Sequence, residues 1–183
     1  VNGEVLGTIK IRNGVIQGDS LSPLLFTLSM EPLSRMLNKK CAKVEANAGL
    51  LRNHLIFVDD IKLLSISKEQ LELACSVTSD CLKKMCLRVN PNKSASSVTS
   101  EIVFGDLLDD GKVYKWLGVQ EDNRNIATDA NRWHVKSQML KRVQKICDSE
   151  LNAKNMIKAI NEYAISLINY YVGILDYSFK DFD

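Results

Sequence analysis

Several absences narrow the class of this 183-residue chain before any motif does. There is no CxxC pair, and only His54 and His134 stand beside the five cysteines, which argues against a zinc site. The cysteine count is odd, no signal peptide opens the chain, and no apolar run is long enough to span a membrane. Together these predict a soluble protein in a reducing, intracellular setting. Internal repeats and low-complexity tracts are missing too. Charge of one sign is also lacking: 24 basic residues against 22 acidic ones leave a net +2, so the global balance names no partner. The chain begins at Val1 without Met and stops abruptly after Asp183, as expected of a fragment.

The local charge says more than the total. From Arg132 to Lys158 seven basic residues (Arg132, Lys136, Lys141, Arg142, Lys145, Lys154, Lys158) meet two acidic ones, Asp148 and Glu150. Such an excess suits a phosphate backbone, or simply the solvated side of a helix.

From His54 to Leu64 the sequence HLIFVDDIKLL sets two apolar runs around Asp59-Asp60. Short β-branched or aromatic runs joined by two turn-tolerant residues predict a β-hairpin with the aspartates at its tip. Adjacent carboxylates repel by ~1 kcal/mol in water and ~4 kcal/mol near a protein surface. Either the tip is a solvated turn, since Asp is common in turns, or a cation sits there. Mg²⁺ takes one or two protein carboxylates together with substrate phosphate oxygens.

Along the chain, Val5 to Ile11 alternates as a strand. Asn13-Gly14 and Gln17-Gly18-Asp19 form a loop where glycine lets backbone approach a ligand. Ser22 as N-cap and Pro23 at the first helical position open a helix to about Lys40. Its predicted buried face is Leu24, Leu25, Leu28, Leu33, Met36 and Leu37, with a kink at Pro32. Lys40 to Asn53 is a connection with room for a short strand. Ser67-Lys68-Glu69-Gln70 has capping-box form and starts a helix with Leu71, Cys75, Thr78, Cys81, Leu82 and Met85 inward. Leu87-Arg88-Val89 reads as a strand ended by the turn Asn90-Pro91-Asn92. Ile102-Val103-Phe104 and Val113 to Val119 read as further strands, with Tyr114 and Trp116 as core residues. Glu121 to Asn131 is polar and irregular. Beyond it Val135, Met139, Val143, Cys147 and Leu151 keep helical spacing, as do Ile157, Ile160, Tyr163, Ala164, Leu167, Ile168 and Tyr171. Those two helices are expected to pair as a hairpin joined around Asn152. The fold class is α+β, turning all-helical toward the end.

Four stretches in order carry a family resemblance. Asn13 to Phe26, NGVIQGDSLSPLLF, closely resembles the reverse transcriptase motif RGxxQGDxLSPLLF. Phe57-Val58-Asp59-Asp60 resembles the (F/Y)xDD motif, Asn90 to Ser94 the NPxKS/T segment, and Tyr114 to Val119 the YKYLG primer-grip element. Leu151 to Ala164 is similar to the thumb side of the same enzymes. The wording is closer to non-LTR, LINE-type retrotransposons than to retroviruses. The resemblance implies a partial polymerase palm, an antiparallel sheet with packed helices, over residues 1–120. A linker at 121–131 and a thumb-like helical segment at 132–183 would follow.

The activity implied is RNA-directed DNA polymerisation, extending a DNA primer on an RNA template with deoxynucleoside triphosphates and two Mg²⁺ ions. Asp59 would be the main metal ligand, with Asp60 in support. Gln17, Gly18 and Phe57 would lie near template and incoming nucleotide. Lys93 would act near the triphosphate, as electrostatic stabiliser or proton donor, unless it is an ordinary turn lysine. Leu117 and Gly118 would belong to the primer grip. Arg132, Lys136, Lys141, Arg142 and Lys145 would touch the nucleic-acid backbone, reading shape more than sequence. The expected location is nuclear and cytoplasmic.

Departures qualify the likeness. Asn13 stands where Arg is usual, and Val58 where Ala is more frequent. The family's other metal-binding aspartate, expected in an upstream strand with the fingers, has no counterpart: Glu4 is the lone acidic residue among the first ten and lacks the surrounding pattern. The chain alone is therefore expected to be inactive. Two alternatives stand beside this one. The first is a non-catalytic nucleic-acid-binding remnant of a decayed or domesticated element. The second is a related palm enzyme, such as a group II intron maturase or a viral RNA polymerase.

Overall fold

The computed structural model describes residues 14, 16–46, 49–108, 112–122, 128–175 and 177. The strand expected from Val5 to Ile11, and Asn13, lie outside them. Contacts divide the chain into two compact units, Val1–Ser94 with Val98–Gly105, and Ala95–Ser97 with Asp106–Asp183.

The first unit is built on two helices and a ribbon. Helix α1 (Ser22–Lys40) has Pro23 in its first turn, where the missing N–H costs nothing. Ser22 is not the cap that the sequence predicts. Leu21 holds that position in a helical conformation, while the Ser22 hydroxyl donates to the Ile16 carbonyl at 2.6 Å. The helix runs through Pro32 unbroken. Its expected apolar face is only half used: Met30, Leu33 and Leu37 are buried, whereas Leu24, Leu25 and Leu28 are exposed. The reason is coverage, since α2 packs with Met30, Leu33, Leu37 and Cys41 at the C-terminal half.

Strands β1 (Val44–Ala46) and β2 (Leu50–Arg52) form an antiparallel ribbon in the connection, followed by β3 (His54–Phe57) and β4 (Asp60–Leu63). Helix α2 (Lys68–Lys84) opens as predicted, with the Ser67 side chain accepting from the Gln70 N–H at 3.3 Å. Ala74, Cys75, Val77, Thr78, Cys81 and Leu82 form its buried face.

No strand forms at Leu87-Arg88-Val89, and the exit from α2 explains why. Cys86 takes φ +58, its N–H bonds Lys83 O at 3.1 Å, and the Leu87 N–H bonds Leu82 O at 2.8 Å. That is a Schellman stop with Cys in the usual glycine position. Its bonds tie Leu87 back to the helix. A 3₁₀ turn, Pro91–Lys93, follows where the proline turn is predicted.

The second unit holds a parallel pair, β5 (Ala95–Ser96) with β6 (Asp106–Leu107), and an antiparallel hairpin, β7 (Tyr114–Trp116) with β8 (Val119–Glu121). The strand expected at Ile102-Val103-Phe104 is absent, and pairing occurs at β6 instead. Helix α3 (Thr128–Cys147) precedes α4 (Ala153–Ala159), a π turn (Ile160–Ile165) and α5 (Ser166–Val172). Asn152 caps α4, accepting from the Asn155 N–H at 3.0 Å, at the predicted joint. Val119, Val135, Tyr171 and Leu175 make the core, with Leu167, Ile168 and Tyr177 against it.

The predicted inward faces of these helices need correction. Ile157 and Tyr163 are exposed while Ala164 and Tyr171 are buried, because the π turn resets the helical phase between them. In α3, Ile146 is buried and Cys147 exposed; Leu151, beyond its end, is exposed as well.

The architecture is α+β, but the strands form four separate two-stranded ribbons among the described residues, not one sheet. The hairpin β7–β8 lies in the same unit as the helices, whereas the sequence groups it with residues 1–120. No described helix is long and apolar enough to cross a membrane.

Candidate active site

The β3–β4 ribbon decides how its carboxylates are offered. Ile56 pairs with Ile61 on the side packed against the helical core, so Phe57 and Asp60 pair on the other side. The loop is therefore Val58-Asp59, one residue earlier than the Asp59-Asp60 tip the sequence predicts. Asp60 is the first residue of β4. The register is set by the isoleucines, which meet directly opposite one another only in this pairing.

The register has a cost. Val58 takes φ +54 while Asp59 stays at negative φ, a type II′ pattern whose first loop position favours glycine. A β-branched residue held there costs about 1–3 kcal/mol. The strained turn presents Asp59 at the tip and Asp60 beside it on the outer face, across from Phe57, which is 61 % exposed. Both aspartates are exposed.

Two carboxylates on a fixed turn fit a hard divalent ion that completes its octahedron with water and phosphate oxygens. Among the described residues no group of three or more His, Cys, Asp or Glu gathers around a common point, so the site is an open pair and not a closed cage.

The ribbon is anchored at its other end. Asn53, 1 % exposed, donates to the Leu37 and Cys41 carbonyls at 3.0 Å each, closing the end of α1. That orientation leaves its carbonyl oxygen to accept from His54 Nδ1 at 2.6 Å, and Nε2 then accepts from the Ser34 hydroxyl at 2.9 Å. Burial, with Arg52 and Lys43 nearby, holds the His54 pKa below its usual value.

The other residues singled out by sequence sit on separate turns of the two units. Gln17 and Gly18 form a turn closed by the Asp19 N–H on Ile16 O at 3.4 Å, and Gly18 takes the φ of +96 that a type II turn requires. Asp19 serves this loop, accepting from the Leu21 N–H at 3.2 Å. Lys93 is exposed at the end of the 3₁₀ turn.

In the second unit, Leu117 and Gly118 are the two loop residues of β7–β8, at φ +46 and +87, a type I′ turn. Tyr170 donates its hydroxyl to the Leu117 carbonyl, and Tyr171 donates to the Gly118 carbonyl at 3.1 Å. Asn131, 1 % exposed, grips the outer edge of β8: its amide donates to Gln120 O at 2.7 Å and its oxygen accepts from the Gln120 N–H at 2.8 Å. The sequence alone places Asn131 only at the end of a polar linker. A single Asn before an amphipathic run carries no signal of a strand partner.

The basic residues of α3 divide by environment. Lys136, Lys141 and Lys145 are exposed. Arg132 is half-buried with its guanidinium 5.6 Å from the centre of the Tyr177 ring. Arg142 lies 4.5 Å over the Tyr163 ring and donates to the Tyr163 carbonyl at 2.7 Å.

A glycine turn before a proline-started helix, a turn offering paired carboxylates and a tyrosine-clasped hairpin follow one another along the chain. Residues 1–121 match the family model described as reverse transcriptase (RNA-dependent DNA polymerase), and the chain belongs to that family. It is 32 % identical over 96 residues to a retrovirus-related Pol polyprotein from type-1 retrotransposable element R2 of Popillia japonica, a match covering 52 % of this chain and 16 % of that protein. It is 36 % identical over 80 residues to the corresponding polyprotein of type-2 element R2DM of Drosophila melanogaster, covering 44 % of this chain and 7 % of that protein. Both relatives come from R2 elements, in agreement with the non-LTR, LINE-type wording of the motifs. No solved structure matches the chain.

Proposed function

We propose that the chain supplies the carboxylate turn and the primer-holding turn of an RNA-directed DNA polymerase that extends a DNA primer on an RNA template. The carrying observation is the strained Val58-Asp59 turn, which sets exposed Asp59 at the tip beside Asp60 and the exposed Phe57 ring on the outer face. Mg²⁺ ions held there would supply Lewis-acid activation of the primer hydroxyl and neutralise the triphosphate.

In this reading Asp59 is the principal ligand and Asp60 its neighbour, while Phe57, Gln17 and Gly18 border the template and incoming nucleotide. Lys93 balances charge at the leaving pyrophosphate. Leu117 and Gly118 hold the primer strand on a turn that Tyr170, Tyr171 and Asn131 keep in shape. The basic face of α3 follows the backbone of the template–primer. Residues 1–120 would act as part of a palm and 132–183 as part of a thumb, with 121–131 between them. The five free thiols suit a reducing, nuclear and cytoplasmic setting.

Two adjacent carboxylates do not by themselves hold two ions in line, so the chain alone should catalyse nothing. The test replaces the corresponding reverse transcriptase stretch of the Popillia R2 polyprotein by residues 1–121 and measures primer extension on an RNA template with Mg²⁺. Extension that falls about a thousandfold in Asp59→Asn, a loss of several kcal/mol of charge stabilisation, supports the proposal. Equal extension with and without Asp59, or robust extension by residues 1–183 alone, overturns it.

A further inference from the structure

The second unit contains a cleft that the polymerase reading does not by itself explain. It has a volume of about 330 Å³ and is lined by Gln138, Lys141, Arg142, Gln144, Lys145 and Tyr163. That lies at the low end of the roughly 300–1,000 Å³ of small-ligand pockets. Three cations and two amides line it, with no carboxylate. Of the nearby acids, Asp148 accepts from the lining Gln144 at 2.8 Å, and Glu162 pairs with Lys158 at 3.7 Å.

Its geometry follows from two helical periods. Gln138, Lys141, Arg142 and Lys145 recur at the i, i+3, i+4, i+7 spacing that forms one stripe on α3. Across from them the π turn carries Tyr163 out of the core face to 55 % exposure, and short π segments are frequent at functional sites. Arg142 steadies this corner, its guanidinium lying over the ring while an N–H holds the Tyr163 carbonyl. The result is an exposed aromatic ring, stacked with a guanidinium, next to two lysines that have no ion-pair partner among the described residues.

We propose that this cleft holds an unpaired nucleotide of a single-stranded nucleic acid, its base stacked at Tyr163 and its phosphates met by Lys141 and Lys145. A duplex backbone would use the lysines but leave the aromatic ring idle, because paired bases are already stacked. An aromatic surface beside a cationic groove is the arrangement by which single strands are held without sequence preference. The proposal deepens the assignment of the α3 basic face to the nucleic-acid backbone and rests on it.

The test uses residues 1–183 with a fluorescent 12-nucleotide oligouridylate and a 12-base-pair RNA duplex, read by anisotropy over a range of salt. The single strand should bind more tightly than the duplex. Tyr163→Ala should weaken the single strand about tenfold and spare the duplex, from a stacking contribution of about 1–3 kcal/mol per base. Tyr163→Phe should keep single-strand binding. Lys141→Gln with Lys145→Gln should weaken both probes and flatten the single-strand salt slope by about 1.4, at about 0.7 per phosphate. A 4-thiouridine probe on the unaltered chain should cross-link at Tyr163, which does not depend on any variant folding. Equal binding of both probes with Tyr163→Ala silent, or cross-links confined to other surfaces, overturns the unpaired-nucleotide cleft and leaves the backbone assignment standing. Binding indifferent to both lysines overturns the two together.

Discussion

Each unit ends a ribbon in a two-residue turn with a non-glycine residue at positive φ, and each holds that turn by different means. In the first, Val58-Asp59 is carried by apolar packing: Ile56 and Ile61 press on the helical core, Val58 is half-buried and Asp59 is exposed. In the second, Leu117-Gly118 is tied by hydrogen bonds from Tyr170 and Tyr171, with Asn131 completing the strand edge behind it. The packed turn leaves its carboxylates available for a cation. The clasped turn has its carbonyls already satisfied, so what it presents to a partner is shape. In the proposed function the first turn would bind a ligand and the second would position one, and their polar groups go accordingly.

Cutting the clasp should have the largest effect. Asn131→Ala leaves a backbone N–H and C=O of Gln120 without partners at a half-buried strand edge and should destabilise the second unit by about 2 kcal/mol. Hydrogen exchange should show amides of β8 and α3 losing protection while those of α1 and α2 do not change. Loss of protection in both units would mean that the two cores are not independent.

Relieving strain sharpens the contrast further. Val58→Gly should stabilise the first unit by about 1–2 kcal/mol, because a β-branched residue at the first position of a type II′ turn is costly. Leu117→Gly should gain less, about 0.5 kcal/mol, since leucine is not β-branched and a new glycine costs chain entropy. Thermal unfolding of the two variants checks the order, and a larger gain for Leu117→Gly would reverse the account of which turn carries the strain.

The smallest effect is a pH dependence confined to the first unit. Burial lowers the folded pKa of His54, so the unfolded chain binds its proton more readily. Its contribution to stability is present above about pH 6.5, the unfolded value, and is lost as pH falls toward the folded pKa. The midpoint of the first unit should decline between about pH 7 and 5, and His54→Gln should flatten that decline. An unchanged slope in the variant would assign it to other groups.

Local chemistry was legible in the sequence wherever it is local in space. Ser67 caps α2 through a neighbour three residues away, Asn152 caps α4 likewise, and Asn90 to Lys93 turns where proline requires it. Cys75 and Cys81 are buried as small apolar residues. Burial was legible only in part. Leu24, Leu25 and Leu28 have the spacing of a buried face but lie beyond the reach of α2, and spacing cannot say how far a partner helix extends. Asn53 and Asn131, the two buried asparagines that hold the ribbons, gave no warning, since their partners are carbonyls and amides brought close by folding.

The sequence by itself determined the family, because NGVIQGDSLSPLLF, FVDD, NPNKS and YKWLGV are contiguous strings whose order survives without a fold. It also determined that Asp59 and Asp60 stand together on a turn-forming ribbon. Only the tertiary structure decided which of them is the tip. That choice belongs to Ile56 and Ile61, whose pairing on the core face outweighs the strain at Val58. Likewise only the π turn, a backbone pattern with no signal in residue spacing, decided that Tyr163 leaves the core and faces the lysines of α3.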